Sequence, residues 1–296
     1  MDPSLEKALL AGLDALSSAL DLRQLEPGRF HADPDMDRPI GHVYGGQLLA
    51  QAVVAAGRTV DGKPPSSLHA LFVRAGRGGL PLELEVEPVR DGRSMSTRRV
   101  TVLESGAPLL TALVSFHDGG TTPEMAIPAP PAPPPEEVPL LQDWAGALPA
   151  HLAEHGRHWI ETPPPIEFRL PTAPSFLGGS ISGTTRAHWM RAPREVGPES
   201  LLHCALLAYA SDFFLMDMVF HAAPDPGGPG RANGLSLDHA IWFHRPVQID
   251  RWHLYSQEAV AATGRRGLAR GTIHDSDGQL AATVMQEILL LPPAAP

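Results

Sequence analysis

The sequence predicts an α+β fold made of two tandem repeats, each a helix followed by antiparallel strands. Three observations carry this. The same succession of helical and strand-like stretches occurs twice along the 296 residues. The last two strand-like runs of each half align without a gap: with Gly106 over Gly278, Arg98 falls over Arg270 and Thr111 over Thr283. Between the halves, residues 118–140 (DGGTTPEMAIPAPPAPPPEEVPL) are rich in proline. Proline fixes φ and removes a donor, so neither a helix nor a central strand persists there, and the stretch reads as a semi-rigid connector.

The elements follow in order. Leu5, Leu9, Leu13, Leu16 and Leu20 recur at helical spacing, interrupted by Glu6, Lys7 and Asp14, which predicts an amphipathic helix over residues 3–20, not a signal peptide. GGQLLAQAVVAAGRTV (45–60) predicts the first core helix. Strand-like runs follow at 67–75, 82–90, 94–104 and 108–117, the last two joined by the turn residues ESGA (104–107). In the second half SLLHCALLAYASDFF (200–214) predicts a helix, with strands at 236–245, 253–262, 266–275 and 279–290 and the matching turn DSDG (275–278). Each half therefore reads as one helix and a four-stranded meander, with alternate residues facing the helix.

Composition narrows the function classes. A formal net charge of −10 with no basic tract argues against general nucleic-acid binding. The single cysteine, Cys204, rules out an intrachain disulfide and a cysteine-based metal site. No apolar run reaches the ~20 residues of a membrane span. The terminal LLPPAAP carries no peroxisomal address, and the expected location is the cytoplasm.

The strings VYGGQLLAQAV, DGRSMSTRRV and VSFH in the first half, then YASD, LDHAIWFHRP and MQEILL in the second, resemble the acyl-CoA thioesterase II family in order and separation. The resemblance covers nearly the whole chain. It implies two fused hotdog domains, each a long helix wrapped by an antiparallel sheet. The expected division is residues 1–118, a linker over 119–140, and residues 141–296 carrying the catalytic groups. It also implies acyl-CoA as substrate, no cofactor and no metal, and a homodimer or homotetramer.

Residue by residue, the resemblance places an active-site aspartate at Asp212 (YASD), a hydroxyl at Ser236 (SLDH) and an amide at Gln286 (VMQEI). Many relatives carry threonine where this chain has Ser236; both supply one donor and two acceptors. By the repeat alignment Val114 stands where Gln286 does, so the first half looks like a copy without the triad. Relatives often show two histidines in the strand after the first helix, whereas SSLHALFVR keeps only His69.

These residue types suit thioester hydrolysis. A thiolate, pKa about 8.5, leaves without a strong general acid. A carboxylate can hold and deprotonate water while a hydroxyl and an amide complete its hydrogen bonds, and backbone N–H groups can polarise the carbonyl. Each residue also has a plainer reading. Asp212 could be a capping carboxylate and Ser236 an ordinary strand-start serine. Gln286 lies in the apolar run ATVMQEILLL, on the face of Val284 and Ile288 by alternation, where a buried amide needs partners. Along 236–245, strict alternation puts Ser236, Asp238, Ala240, Trp242 and His244 on one face, with Leu237, His239, Ile241 and Phe243 on the other. Asp238 and His239 read as supporting groups, with His239 also a candidate substrate contact.

Further substrate-contact candidates are Gly45 and Gly46, whose N–H groups open the first core helix, together with His69, Arg98 and Arg270. Close helix packing is the competing reason for the glycines. For the arginines, which recur near Arg90, Arg93, Arg99, Arg265 and Arg266, the choice is between coenzyme A phosphates and a solvated strand face. HLAEH (151–155) with His158 matches an inverted zinc-protease pattern but reads as a linker helix. GGSISG (178–183) fails the nucleophile-elbow pattern because Ser182 stands at the last glycine's position. Cys204 reads as a core filler. Besides the thioesterase, a hotdog enoyl-CoA hydratase or dehydratase and a non-catalytic acyl-CoA sensor remain as alternatives.

Overall fold

The computed structural model describes residues 2–33, 42–120, 124–179, 183–222 and 234–291. The nucleophile-elbow-like string falls largely outside them, at residues 180–182.

Helix α1 (Pro3–Leu20) is capped by the Asp2 side chain and turns Leu9, Leu13 and Leu16 inward. A short hairpin, β1 (Arg23–Glu26) and β2 (Arg29–Ala32), leads to α2 (Gly45–Gly57). Strands β3 (Pro65–Phe72), β4 (Leu82–Asp91), β5 (Met95–Glu104) and β6 (Ala107–His117) follow. Beyond the proline-rich stretch come α3 (Leu141–Gly146), α4 (Ala153–Glu161), β7 (Glu167–Arg169) and β8 (Thr185–Arg191). The second core helix is α5 (Ser200–Ser211), followed by α6 (Leu215–Ala222). The chain ends in β9 (Gly234–Ser236), β10 (Asp238–Phe243), β11 (His253–Thr263), β12 (Arg266–His274) and β13 (Leu280–Leu290).

All the pairings are antiparallel and form one continuous sheet, β1-β2-β4-β5-β6-β3-β10-β13-β12-β11-β8-β7, with β9 also on β13. The halves join where β3 pairs β10. This corrects the meander expectation. In both halves the first strand after the helix crosses over to lie beside the last one, β3 beside β6 and β10 beside β13. The result is a helix cradled by a sheet, twice: a double hotdog.

Inside the cradle lie α2 and α5. Residues Gly46–Ala56 of α2 and His203–Ser211 of α5 are buried all round, as expected of core helices with no solvent face. The two run antiparallel. A Cβ on Gly46 would come within 2.4 Å of the Tyr209 carbonyl oxygen, and one on Gly57 within 2.3 Å of the Leu201 side chain. The N-terminus of α2 therefore meets the C-terminus of α5. Gln51 ties the outer helix on, donating from Nε2 to the Ala19 carbonyl at 3.0 Å.

Residues 200–222 are long and apolar enough to cross a bilayer, although the sequence reading found no such run. In this fold that stretch is almost entirely buried, and the helix breaks at Phe214, whose φ is 67°.

The repeat alignment slips by one residue in the fold. Val114 on β6 pairs Arg98 on β5, but Gln286 on β13 pairs Ala269 on β12, not Arg270. The turn between β5 and β6 holds two residues, Ser105 and Gly106, both at positive φ, while residues 275–279 separate β12 from β13. With a side-chain period of two, one residue of slip turns a strand's side chains over. Arg98 thus faces inward and Arg270 outward.

The Gly46 contact is with backbone, which cannot turn aside, whereas the Leu201 side chain at Gly57 can change rotamer. Gly46→Ala is expected to destabilise the fold by about 1–3 kcal/mol through overpacking. Gly57→Ala should be milder, its helix-propensity gain of up to about 1 kcal/mol offsetting the crowding. Urea midpoints of the two variants check this order.

Candidate active site

Asp212 caps the C-terminus of α5 in the αR conformation, immediately below the N-terminus of α2. Its carboxylate accepts from the Gln286 amide (Nε2 to Oδ1, 2.8 Å), from the backbone N–H of Gly46 and from the side chain of Tyr44. A Cβ at Gly45 would stand 2.8 Å from Oδ2. Both glycines are thus required by close approach, and the Gly46 N–H also bonds a site carboxylate. Burial pushes the Asp212 pKa from 3.8 up to about 6, while hydrogen bonds from Gln286, Gly46 and Tyr44 pull it down.

Ser236 reaches the same point through an irregularity that alternation does not foresee. Ser236 pairs Ile288 and Ala240 pairs Met285, so four steps along β9–β10 oppose three along β13. This extra residue is a β-bulge, which bends a strand and re-aims a side chain. It is pinned by the Asp238 carboxylate, which accepts from the Glu287 N–H at 2.7 Å. The bulge puts Ser236 and His239 on the same inward side, correcting the strict two-face pattern. Asp238 is thereby a structural group.

Gln286 is fully buried, inward on β13 with Val284 and Ile288. Its Nε2 donates to Asp212 Oδ1 at 2.8 Å and to Ser236 Oγ at 2.6 Å, so one amide joins the carboxylate and the hydroxyl. The three residues of the expected triad are thus in direct hydrogen-bonded contact, although they come from α5, β9 and β13.

Asp212, Ser236 and Gly45 line a cavity of about 440 Å³. Gln286 does not line it and sits one layer behind, against the expectation that the amide touches the reacting water. Most of the remaining wall is apolar, with Leu48, Phe72, Phe213, Phe214, Met216 and Phe220. Trp159 and Phe176, stacked at 4.6 Å, add a wall from the segment that precedes the second core helix. Arg74 and His42 bring polar groups to the lining.

At Asp217 and Ser175 the cavity wall adjoins a buried ion pair, Arg186 Nη1 to Asp217 Oδ2 at 2.7 Å, with His221 Nε2 3.3 Å from the same carboxylate oxygen. Burial pushes the Asp217 pKa up, but His221, Arg186 and Ser175 outweigh it and bring it to about 2. Nothing in the sequence marked this cluster, because an isolated Arg on a short strand and an Asp in an apolar helix have no local pattern.

The other candidates lie elsewhere. His69 is on the exposed outer face of β3, edge-on to Trp242 with ring centres 5.0 Å apart, because Leu68 and Ala70 take the inward positions. Arg98 is buried and committed to Thr59, Arg90, Thr97 and Asp91, the last at 2.7 Å. It anchors the chain just after the C-terminus of α2, the end opposite Asp212. Arg270 is on the outer face, paired with Glu258 at 2.7 Å. His239 is buried behind the site and does not line the cavity.

In the HLAEH string a 3₁₀ turn ends at Leu152 before α4 begins, so His151 and His155 do not share an α-helix, and His155 contacts the Phe176 carbonyl at 2.9 Å. Among the described residues no group of three or more His, Cys, Asp or Glu could hold a metal ion. Cys204 is buried, and burial pushes its pKa up to about 12, which keeps it a thiol.

The family models of the acyl-CoA thioesterase N-terminal and C-terminal domains match residues 33–117 and 129–290. "Acyl-coenzyme A thioesterase 8" of Homo sapiens is 33% identical over 262 residues, covering 84% of this chain and 80% of the relative. "Acyl-CoA thioesterase 2" of Haemophilus influenzae is 30% identical over 283 residues, 94% of this chain and 97% of the relative. A crystal structure of an acyl-CoA thioesterase II from Mycobacterium marinum is 30% identical, covers 95% of this chain and 99% of its own, and superposes with a TM-score of 0.75.

The buried carboxylate generates a stability prediction. The unfolded chain releases this proton near pH 3.8 and the folded one near pH 6. Between those values the unfolded state binds fewer protons, so stability falls as pH rises. Asp212→Asn removes that loss. Its stability relative to wild type should grow by roughly 2–3 kcal/mol between pH 4 and pH 8, at about 1.4 kcal/mol per pKa unit, in urea titrations at both pH values.

Proposed function

The chain belongs to the acyl-CoA thioesterase II family and hydrolyses acyl-CoA; we propose that it does so by direct attack of a water held by Asp212 and Ser236 on a fatty acyl thioester. The observation that carries this reading is the Gln286 amide, 2.8 Å from Asp212 and 2.6 Å from Ser236, one layer behind the apolar cavity that those two residues line.

The water's oxygen attacks the carbonyl carbon while its proton passes to the Asp212 carboxylate. The carbon–sulfur bond then breaks, and the thiolate of coenzyme A leaves and takes that proton. A base whose pKa lies near 6 is ionised at neutral pH yet basic enough to accept a proton. Gly45, at the cavity wall, offers its backbone N–H and the positive end of the α2 dipole to the developing oxyanion, the Gly46 N–H being held by Asp212. Gln286 acts through its two neighbours, holding base and hydroxyl at a fixed spacing. No step uses a cofactor.

The cavity's aromatic and aliphatic lining suits an unbranched acyl chain, and its volume of about 440 Å³ falls within the usual range for small-molecule sites. Arg74 at the cavity wall, 40% exposed and 3.7 Å from the Glu104 carboxylate, is the cation placed nearest for the phosphates of coenzyme A among the cavity-lining residues. A two-unit division at residues 119–140, a cytoplasmic setting and a homodimer or homotetramer complete the proposal. The exposed Leu71 (62%) and Leu113 (44%) on the outer sheet face support assembly. The hydratase and sensor alternatives are not favoured, since the named relatives are thioesterases.

Thiol release from palmitoyl-CoA tests the reading. Wild type should turn over with an acid limb in kcat near pH 6, where Asp212 ionises. Asp212→Asn should lose about 10²-fold or more, the range for a lost general base. Binding without thiol release by wild type would place the protein among sensors instead.

A further inference from the structure

His239 is a buried titratable group beside Asp212 that the reaction does not use. Its imidazole is fully buried, with Nε2 2.9 Å from Ser211 Oγ and Nδ1 4.0 Å from Asp212 Oδ1. The Gln286 side chain also contacts the ring, without a formed hydrogen bond in this geometry. Since Ser211 occupies Nε2, Nδ1 is the nitrogen left for that contact. Two buried atoms here lack a partner of good geometry, His239 Nδ1 and Gln286 Oε1.

Counting hydrogens decides the arrangement. The Gln286 amide has two, and both are committed, one to Asp212 and one to Ser236. What it offers His239 is Oε1, which only accepts, and ionised Asp212 also only accepts. An imidazole nitrogen facing two acceptors must carry the hydrogen, or three lone pairs meet in a dry pocket. Nε2 is then an acceptor, and the Ser211 hydroxyl donates to it instead of to the Ala208 carbonyl, which is also 2.9 Å away.

The converse arrangement is consistent only with Asp212 protonated, because it sets an amide oxygen against that carboxylate. A proton on Nε2 would make Nδ1 an acceptor and would favour Gln286 turned over, its oxygen toward Asp212 and Ser236. The tautomer and the amide orientation are thus one choice, and only one version presents N–H groups to the base.

We propose that His239 is a positioning residue: as the neutral Nδ1–H tautomer it holds Gln286 Oε1 and so keeps the amide's N–H groups on Asp212 and Ser236. This rests on the reading of those three residues as the hydrolytic site. Burial keeps the ring neutral, pushing its pKa from 6.5 down to about 3, with the Gln286 contact opposing.

The test pairs two variants with one direct observation. Asparagine places an amide N–H near the position of Nδ1, while glutamine extends its amide to that of Nε2. With palmitoyl-CoA, His239→Asn should keep kcat within about tenfold of wild type. His239→Gln should lose about 10²-fold in kcat, the scale of a misplaced catalytic group, with KM changed less than about threefold. Equal losses in the two variants, or a loss carried by KM, would overturn the proposal.

Nitrogen-15 spectra of histidine-labelled wild type at pH 7, with His239 assigned by its absence in the Asn variant, read the tautomer independently of activity and of how well either variant folds. A protonated Nδ1 and bare Nε2 are expected; a protonated Nε2 would overturn the proposal. Gln286→Leu serves as the control. If it releases thiol at the wild-type rate, the hydrolytic reading fails whatever the tautomer.

Discussion

The antiparallel contact between α2 and α5 is the constraint on which the rest of the site depends. At Gly46 the two backbones come so close that a single methyl group would strike the Tyr209 carbonyl. That approach sets the positive end of one core helix against the residue that ends the other. Asp212 is consequently buried beside backbone N–H groups, with Tyr44 and Gln286 completing its shell. Burial raises the pKa of this carboxylate, and the hydrogen bonds to it pull the other way. The opposing effects leave it near 6.

The two repeats have divided the work. The second supplies the carboxylate, hydroxyl and amide, from α5, β9 and β13. In the first, the repeat alignment sets Val114 against Gln286, and Arg98 is committed to the chain that follows α2. Yet the first repeat supplies the N-terminus of α2 and part of the cavity wall, through Gly45, Leu48 and Phe72. Neither half contains the whole site. The first half can therefore take part directly in the proposed chemistry without a counterpart of Asp212, Ser236 and Gln286.

Much of this architecture is legible in the sequence, for identifiable reasons. Helical periodicity and turn residues mark α1, α2, α5 and eight strand-like runs, because local pattern determines local structure there. Family motifs lead to Asp212, Ser236 and Gln286, which spacing alone would not have joined. Strand order is not legible, since crossing over or continuing as a meander depends on contacts across the sheet. The bulge at Leu237 and the one-residue slip between Gln286 and Ala269 are hidden too, because an extra residue leaves the alternation on either side intact. Those two irregularities explain why Ser236 turns inward and Arg270 outward. The wall formed by Trp159 and Phe176 was missed because that segment has mixed composition and acquires its role only by packing on Phe214.

The central claim is that Asp212 activates water and never carries the acyl group. A single turnover of acyl-CoA by excess enzyme in water enriched in oxygen-18 examines it most directly. Direct attack predicts that every molecule of fatty acid formed carries one heavy oxygen, that Asp212 stays unlabelled, and that quenched enzyme shows no acyl adduct on Ser236. Unlabelled acid with heavy oxygen in Asp212, or an acylated Ser236, would contradict it.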